Sequence, residues 1–420
     1  MKLLAADPMI ETDDWWWEVL AIVAAKVLAI FVIGLVATMF MVWFERKIVS
    51  GMQNRIGPNK AGPFGLLQTL ADGTKLFFKE DLLPDRADRL VFRFAPFLAF
   101  VPAFLLWSVI PLGGDFTGDN DGTVEWFGHV TRIQLADPPV GILLVLALSS
   151  ISVYGMMLAG WSSGSKYPLL GSVRASAQMI SYEAALGLSL AAVLVIAGTL
   201  STSGIVDGQD GVGNWHIVTT GFIPFVIFLI AMTAELNRPP FDLVEAEQEL
   251  VGGFNTEYSS IRFALFFLAE FMNVITMSAI VVTLFLGGPQ PLWVNEGSWL
   301  GERLPDALVG LDIFGWAGPF AGTLWVILKV LAFLYVYVWF RATLPRLRYD
   351  QLMDFGWKLL IPVALGWLLV LTAIQLGRDE DWNVFAVVAV CLAALGAAYL
   401  LFSVALSVSR RNRERQGAAF

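Results

Sequence analysis

Five carboxylates crowd into one polar segment, Glu235, Asp242, Glu245, Glu247 and Glu249 within residues 234–249, and two more acids, Glu183 and Glu270, sit inside neighbouring hydrophobic stretches. An acid at membrane depth costs at least about 2.5–3.5 kcal/mol on insertion scales, and such groups mark ion or proton pathways. Proton uptake and release, or transmission of charge, is therefore the chemistry to expect. Glu183 lies nine residues past Arg174 and Glu270 eight past Arg262, which at the rise of an α-helix is roughly 12–13 Å of depth for each. Glu235 stands where its stretch leaves the membrane, so the three acids would approach one another at one level. On a helix Asp242, Glu245 and Glu249 share a face from which Glu247 points away. Most acidic runs are solvated surface. Here, however, Asn237-Arg238-Pro239-Pro240-Phe241 interrupts any helix, because proline lacks the N–H and clashes with the preceding turn. Irregular backbone at membrane depth has to be enclosed by protein.

A second constellation is basic and aromatic. Arg46 and Arg55 follow the first hydrophobic stretch, and Arg341-Ala342-Thr343-Leu344-Pro345-Arg346-Leu347-Arg348-Tyr349-Asp350 follows the seventh. Arginines beside aromatic rings at an interface would line the mouth of a passage for an amphiphile with a polar head. The same residues would serve equally as positive anchors that dock a soluble partner.

One cysteine, Cys391, and two histidines, His129 and His216, bound the redox chemistry. An iron–sulfur cluster takes about four thiolates, and haem takes axial ligands such as histidine; both histidines fall in outer loops. No metal site and no redox centre in this chain are expected. Gly208-Gln209-Asp210-Gly211-Val212-Gly213 lies in a polar loop with no preceding strand, so it is not a dinucleotide fingerprint, and no P-loop sequence is present.

The scaffold for these residues has to be a set of membrane spans. With 57% apolar residues, 15% charged residues and a mean hydropathy of +0.68, the chain lies outside the range of soluble domains and is an integral membrane protein. About 20 apolar residues cross the ~30 Å hydrocarbon core as a helix. Nine such stretches are present, at 19–43, 91–111, 138–161, 175–199, 217–235, 261–286, 319–341, 359–376 and 384–408. The fold class expected is an all-α polytopic membrane protein. Between the first two spans, residues from Pro63 to about Lys79 carry Gln68, Asp72, Lys75 and Lys79 on one side and Phe64, Leu67, Leu70, Ala71 and Phe78 on the other. That pattern predicts an amphipathic helix lying in the interface, or alternatively one packed on the neighbouring spans.

Lysine and arginine accumulate on the cytoplasmic side. With the N-terminus outside, the outer segments hold only Lys2, Arg132, Arg303 and Arg378, and Lys26 and Lys329 sit within spans. Every other one of the 27 then falls on an inner segment, which also places the C-terminus in the cytoplasm. The net charge of −9 arises mainly from acidic outer loops and reads as solvated charge. The acidic start lacks the basic n-region of a cleavable signal peptide, and the topology suits a bacterial plasma membrane. The division expected is an outer segment 1–18, a membrane core 19–376, and an appended ninth span with a basic tail over 377–420. That tail, Arg410-Arg411-Asn412-Arg413-Glu414-Arg415, suits a topology signal that also touches anionic lipid.

Four motifs in fixed order carry a family resemblance. They are Glu45-Arg46-Lys47 with Gln53-Asn54-Arg55-Ile56-Gly57-Pro58-Asn59, Ala234-Glu235-Leu236-Asn237-Arg238-Pro239-Pro240-Phe241-Asp242, Gly253-Phe254-Asn255-Thr256-Glu257-Tyr258, and the segment Arg341 to Asp350. Over about residues 19–376 the chain resembles the subunit 1 (H-type) family of respiratory complex I, the proton-translocating NADH:quinone oxidoreductase. The resemblance implies an eight-helix core, to which the ninth span here is an addition. It implies a place between the peripheral redox arm and the pumping membrane arm, lining the quinone access tunnel. Quinone would be the substrate, FMN and iron–sulfur clusters would reside on partner subunits, and no nucleic acid would be bound. By motif, the acidic channel of the family falls on Glu183, Glu235, Asp242, Glu245, Glu247 and Glu270. Tunnel-lining and partner-facing positions fall on Arg46, Arg55, Asp72, Arg238 and Arg341. Two other readings compete: the anchor subunit of a related membrane-bound hydrogenase, and a free-standing cation or proton antiporter. Folding without partners would favour the antiporter.

Overall fold

A computed structural model of the chain describes residues 7–9, 17–114, 116, 122–243, 251–292, 320–383, 385–391, 393–394, 396–397 and 404. The first helix, α1 (Trp17–Met52), is 36 residues long, or about 54 Å, far more than the ~30 Å hydrocarbon core. Two buried charges on it, Lys26 and Glu45, are 19 residues and so about 29 Å apart. Lys26 Nζ is held by Asp7 Oδ2 at 2.6 Å and by the Thr131 hydroxyl.

The amphipathic segment forms α2 (Gln68–Phe78), preceded by a short 3-10 turn at Pro63–Gly65. No residue of α2 is buried. It is propped on α1 by the Thr69 hydroxyl, which donates to the Met39 carbonyl at 3.2 Å, and by Arg46, which reaches Asp72 at 2.8 Å. Leu70, Phe77 and Phe78 remain exposed.

The bundle continues with α3 (Arg89–Leu105), α4 (Gly141–Ser162) and α5 (Lys166–Ala197). Asp88 caps α3 by accepting from the Leu90 and Val91 amides at 3.1 and 3.3 Å. Without a hydrophobic driving force between helices in lipid, close packing of small residues holds such neighbours together. A side chain at Gly155 of α4 would strike the Ala99 backbone nitrogen of α3 at 2.7 Å. Among the described residues the strands are a single hairpin, β1 (Thr123–Trp126) with β2 (His129–Arg132), a ribbon that the helical periodicity did not announce.

Two short helices, α6 (Thr202–Asp207) and α7 (His216–Thr219), lead into α8 (Ile223–Glu235). The span expected over 217–235 is therefore divided. Gly221 and Phe222 both take left-handed φ values, 81° and 65°, so no helix passes through them, and α8 alone is about 20 Å long. The central helix is α9 (Ser260–Phe285), whose C-terminal half from Val274 to Phe285 is buried throughout. It packs on α1, α3 and α10 (Ala321–Thr343). The last described spanning unit, Tyr349–Asp379, joins α11 (Tyr349–Phe355), a π turn at Gly356–Leu360, and α12 (Ile361–Asp379). The π turn is seated on α5, where the Tyr182 hydroxyl donates to the Leu352 carbonyl at 2.9 Å and Trp357 donates to the Ser181 hydroxyl at 3.1 Å.

Seven helices among the described residues are long and apolar enough to cross a membrane, and α8 adds a shorter apolar one. The all-α polytopic class read from the sequence holds. Of the ninth stretch, residues 385–391, 393–394, 396–397 and 404 are helical, and the remainder lies outside the described residues.

Candidate functional site

Four charged side chains from α1, the turn after α8, the middle of α9 and the last turn of α10 meet. Glu45, two turns from the end of α1, is buried and accepts from Arg238 at 3.4 Å and from Arg341. Arg238 also reaches Glu270 of α9 at 3.1 Å, and its guanidinium lies over the Phe271 ring at 4.5 Å. The guanidinium is thus shared by two carboxylates and stacked on an aromatic face, a geometry that lysine cannot copy. These residues, with Val42, Arg46, Val49, Arg55, Ile56 and Phe267, line a chamber of about 590 Å³.

The turn that carries Arg238 is built by its sequence. Asn237 takes a left-handed φ of 52°, which asparagine tolerates better than most residues. The Phe241 amide returns to the Arg238 carbonyl at 2.9 Å. The Leu347 amide donates to Pro240 O at 3.0 Å, and Arg346 pairs with Asp242 at 3.0 Å, tying the turn to the segment after α10. From α5, the Gln178 side-chain amide donates to Ala234 O and Phe241 O, each at 2.7 Å, and to Asn237 Oδ1 at 3.1 Å.

Deeper in the protein lies a second cavity of about 50 Å³, room for one or two waters, lined by Ser152, Met179, Glu235, Asn237, Phe254, Asn255, Glu270 and Asn273. Glu270 faces both cavities. Glu235 is 6% exposed, stands beside Ser149 and within electrostatic reach of Glu183, and its Oε2 finds no hydrogen-bond partner among the described residues. Glu183 in turn accepts from the Ser150 hydroxyl of α4. Charges therefore follow one another from Glu45 through Arg238 and Glu270 to Glu235 and Glu183.

The roof of the second cavity is the 3-10 turn Gly253–Asn255, which comes so close to α5 that a Cβ at Gly171 would lie 2.8 Å from Gly253 Cα. Beyond it Tyr258 stacks on Phe92 with ring centroids 4.0 Å apart and donates to the Phe92 carbonyl at 3.1 Å. Burial pushes this hydroxyl up to about 12, so it remains a donor at every physiological pH.

Arg46, Arg55, Arg238, Arg341 and Glu270 line the chamber; Asp72 stands outside it, paired with Arg46. Glu183 and Glu235 belong to the deeper group, and Asp242 lies within electrostatic reach of Glu270. Glu245 and Glu247 lie outside the described residues. The sequence reading did not name Gln178; it named Arg346 only within the basic segment after the seventh stretch and Glu45 only within a family motif. Among the described residues no three His, Cys, Asp or Glu side chains cluster as for a metal ion.

Residues 25–372 match the model of a family described as NADH dehydrogenase. Three relatives, each the H-type subunit of an NADH-quinone oxidoreductase, come from Frankia casuarinae, Frankia alni and Streptomyces avermitilis. The first is 52% identical over 374 residues, 88% of this chain and 76% of its own; the second is 53% identical over 369 residues, 88% and 75%. The third is 44% identical over 411 residues, 98% of this chain and 84% of the relative. The chain belongs to the NADH dehydrogenase family, as an H-type membrane subunit of the NADH-quinone oxidoreductase enzyme complex.

Proposed function

We propose that this subunit lines the passage by which quinone reaches its reduction site, and that its buried acids relay the resulting change of charge and proton demand toward the pumping subunits of the membrane arm. The observation that carries the reading is the position of Glu270, which pairs with Arg238 in the chamber and also borders the deeper cavity that holds Glu235. The chamber volume suits a small-molecule site. Its apolar residues Val42, Val49, Ile56 and Phe267 suit a hydrocarbon tail, and its guanidinium groups suit a polar ring. Because Arg238 is shared between Glu45 and Glu270, a charge change on one side alters how strongly it holds the other. At ~3.3 Å and an effective dielectric of ~20, one such pair has a Coulomb interaction of about 5 kcal/mol before desolvation, a scale that biases a two-state element decisively.

In this reading the relay runs from Glu270 through Glu235 to Glu183, with Asp242, Glu245 and Glu247 feeding the same region. Arg46, Arg55 and Asp72 face the quinone entrance and the peripheral-arm subunits that hold the quinone head, while FMN and the iron–sulfur clusters reside on partners and this chain binds none. The N-terminus lies outside a bacterial plasma membrane and the C-terminus in the cytoplasm, as the lysine and arginine distribution favours. Residues 19–376 form the working core, and 377–420 add a lipid-contacting anchor. The test is Glu270→Gln, and separately Glu235→Gln, in the assembled complex. Quinone reductase turnover per assembled complex falls about tenfold or more. Full coupled turnover in an assembled variant would overturn the relay.

A further inference from the structure

Gln178 is fully buried in the middle of α5, in an apolar neighbourhood where a polar side chain carries a cost unless it is bonded. Its side-chain nitrogen has two hydrogens, yet three acceptors surround it: Ala234 O and Phe241 O at 2.7 Å, and Asn237 Oδ1 at 3.1 Å. Ala234 closes the last turn of α8, and Asn237 and Phe241 belong to the turn that leads from it to Asp242. The orientation of the amide is forced, since the opposite one would set Gln178 Oε1 against two backbone carbonyls. Gln178 Oε1 itself is buried and finds no partner among the described residues. A single side chain from α5 therefore grips both ends of the turn, immediately outside the residue that separates Glu45 from Glu270.

We infer that Gln178 is the positioning residue of this turn: by holding the Ala234 and Phe241 carbonyls it fixes where the Arg238 guanidinium stands between Glu45 and Glu270. Loss of the two short bonds frees both ends of the turn, and Arg238 then no longer presents one face to each carboxylate. The competition of three acceptors for two hydrogens also means that the longer contact, to Asn237, is the one released most easily. The functional half of this inference rests on the relay reading; the structural half does not.

The experiment uses the whole complex in its native membrane and three readouts: deuterium uptake of the 234–243 backbone, NADH-to-quinone turnover, and electron transfer to an artificial acceptor, which reports the peripheral arm alone. Gln178→Met fills a similar volume without any donor. It raises uptake across 234–243 and lowers quinone turnover about tenfold, while artificial-acceptor activity per complex stays at the wild-type level. Gln178→Glu behaves in the same way at pH 8, where its carboxylate would confront three acceptor oxygens. At pH 6 its neutral form regains one donor, and turnover recovers about threefold or more relative to wild type at the same pH. Unchanged uptake over 234–243 in Gln178→Met would overturn the inference, as would, where Gln178→Met lowers turnover, a flat ratio of Gln178→Glu to wild-type turnover between pH 6 and 8. Raised uptake with undiminished turnover would leave the positioning role standing and remove the relay reading. If Gln178→Glu does not assemble, Gln178→Met alone decides the matter through its uptake.

Discussion

Replacing Glu45 by glutamine removes one negative charge, leaving Arg238 with Glu270 alone and Arg341 without its carboxylate. The four groups are electrically balanced as they stand, two guanidinium groups against two carboxylates. Breaking a buried pair by removing one partner costs about 3–5 kcal/mol, because the other charge stays behind. Arg238 is 8% exposed and bears most of this, whereas Arg341 at 38% is screened by solvent and contributes little. Set against a typical stability of about 5–15 kcal/mol, the loss is large enough to lower the amount of complex and its resistance to heat. The assay is the temperature of half-inactivation of quinone-linked activity in mild detergent, together with the yield of assembled complex. Glu45→Gln lowers both, and adding Arg341→Gln restores part of each by returning the site to neutrality. Wild-type yield and heat resistance in Glu45→Gln, or a double variant weaker than the single one, would refute the charge-balance argument.

Three further outcomes follow from the same packing and charge rules. Lys329, buried in α10, donates to the carbonyls of Leu286, Gly288 and Gln290 at 2.7–2.9 Å; Lys329→Met leaves these acceptors without their donor and costs about 1–3 kcal/mol, read as earlier thermal inactivation of the complex. Gly171→Ala presses backbone against backbone at Gly253 and costs about 1–3 kcal/mol, displacing the turn that carries Phe254 and Asn255, so turnover per assembled complex falls. His216, buried at the start of α7 with its Nδ1 on the Leu284 carbonyl at 3.0 Å, is held below its ordinary pKa by burial. The unfolded chain then binds a proton that the folded one does not, so stability is lost as pH falls through about 6.5, by up to about 1.4 kcal/mol per unit; His216→Gln flattens that part of the stability profile.

The helical spans and the acids within them were legible because membrane burial imposes long apolar runs, and each interruption by charge stands out against them. The break in the fifth span was not legible. Gly221 and Phe222 look like ordinary members of an apolar stretch, and only their backbone conformation ends the helix. Glu45 was hidden by its neighbours: in Glu45-Arg46-Lys47 the cations account for themselves as inner-side anchors, and the acid looks like their counterion. Its actual partners lie 193 and 296 residues away in the chain. Gln178 left no periodic signal, since one polar residue per helix is common and its meaning lies in the turn it touches. Arg238 could be placed near the acids from sequence, but its division between two of them depends on three helices meeting.

The most direct test of the quinone passage is a photoreactive quinone bound to the native complex, irradiated during turnover, with the labelled peptides of this chain mapped by mass spectrometry. Labels within 42–58 and 267–271, suppressed by excess natural quinone, are the expected result, since those segments supply the chamber lining. Competable labelling confined to other subunits, with none in these two segments, would contradict it.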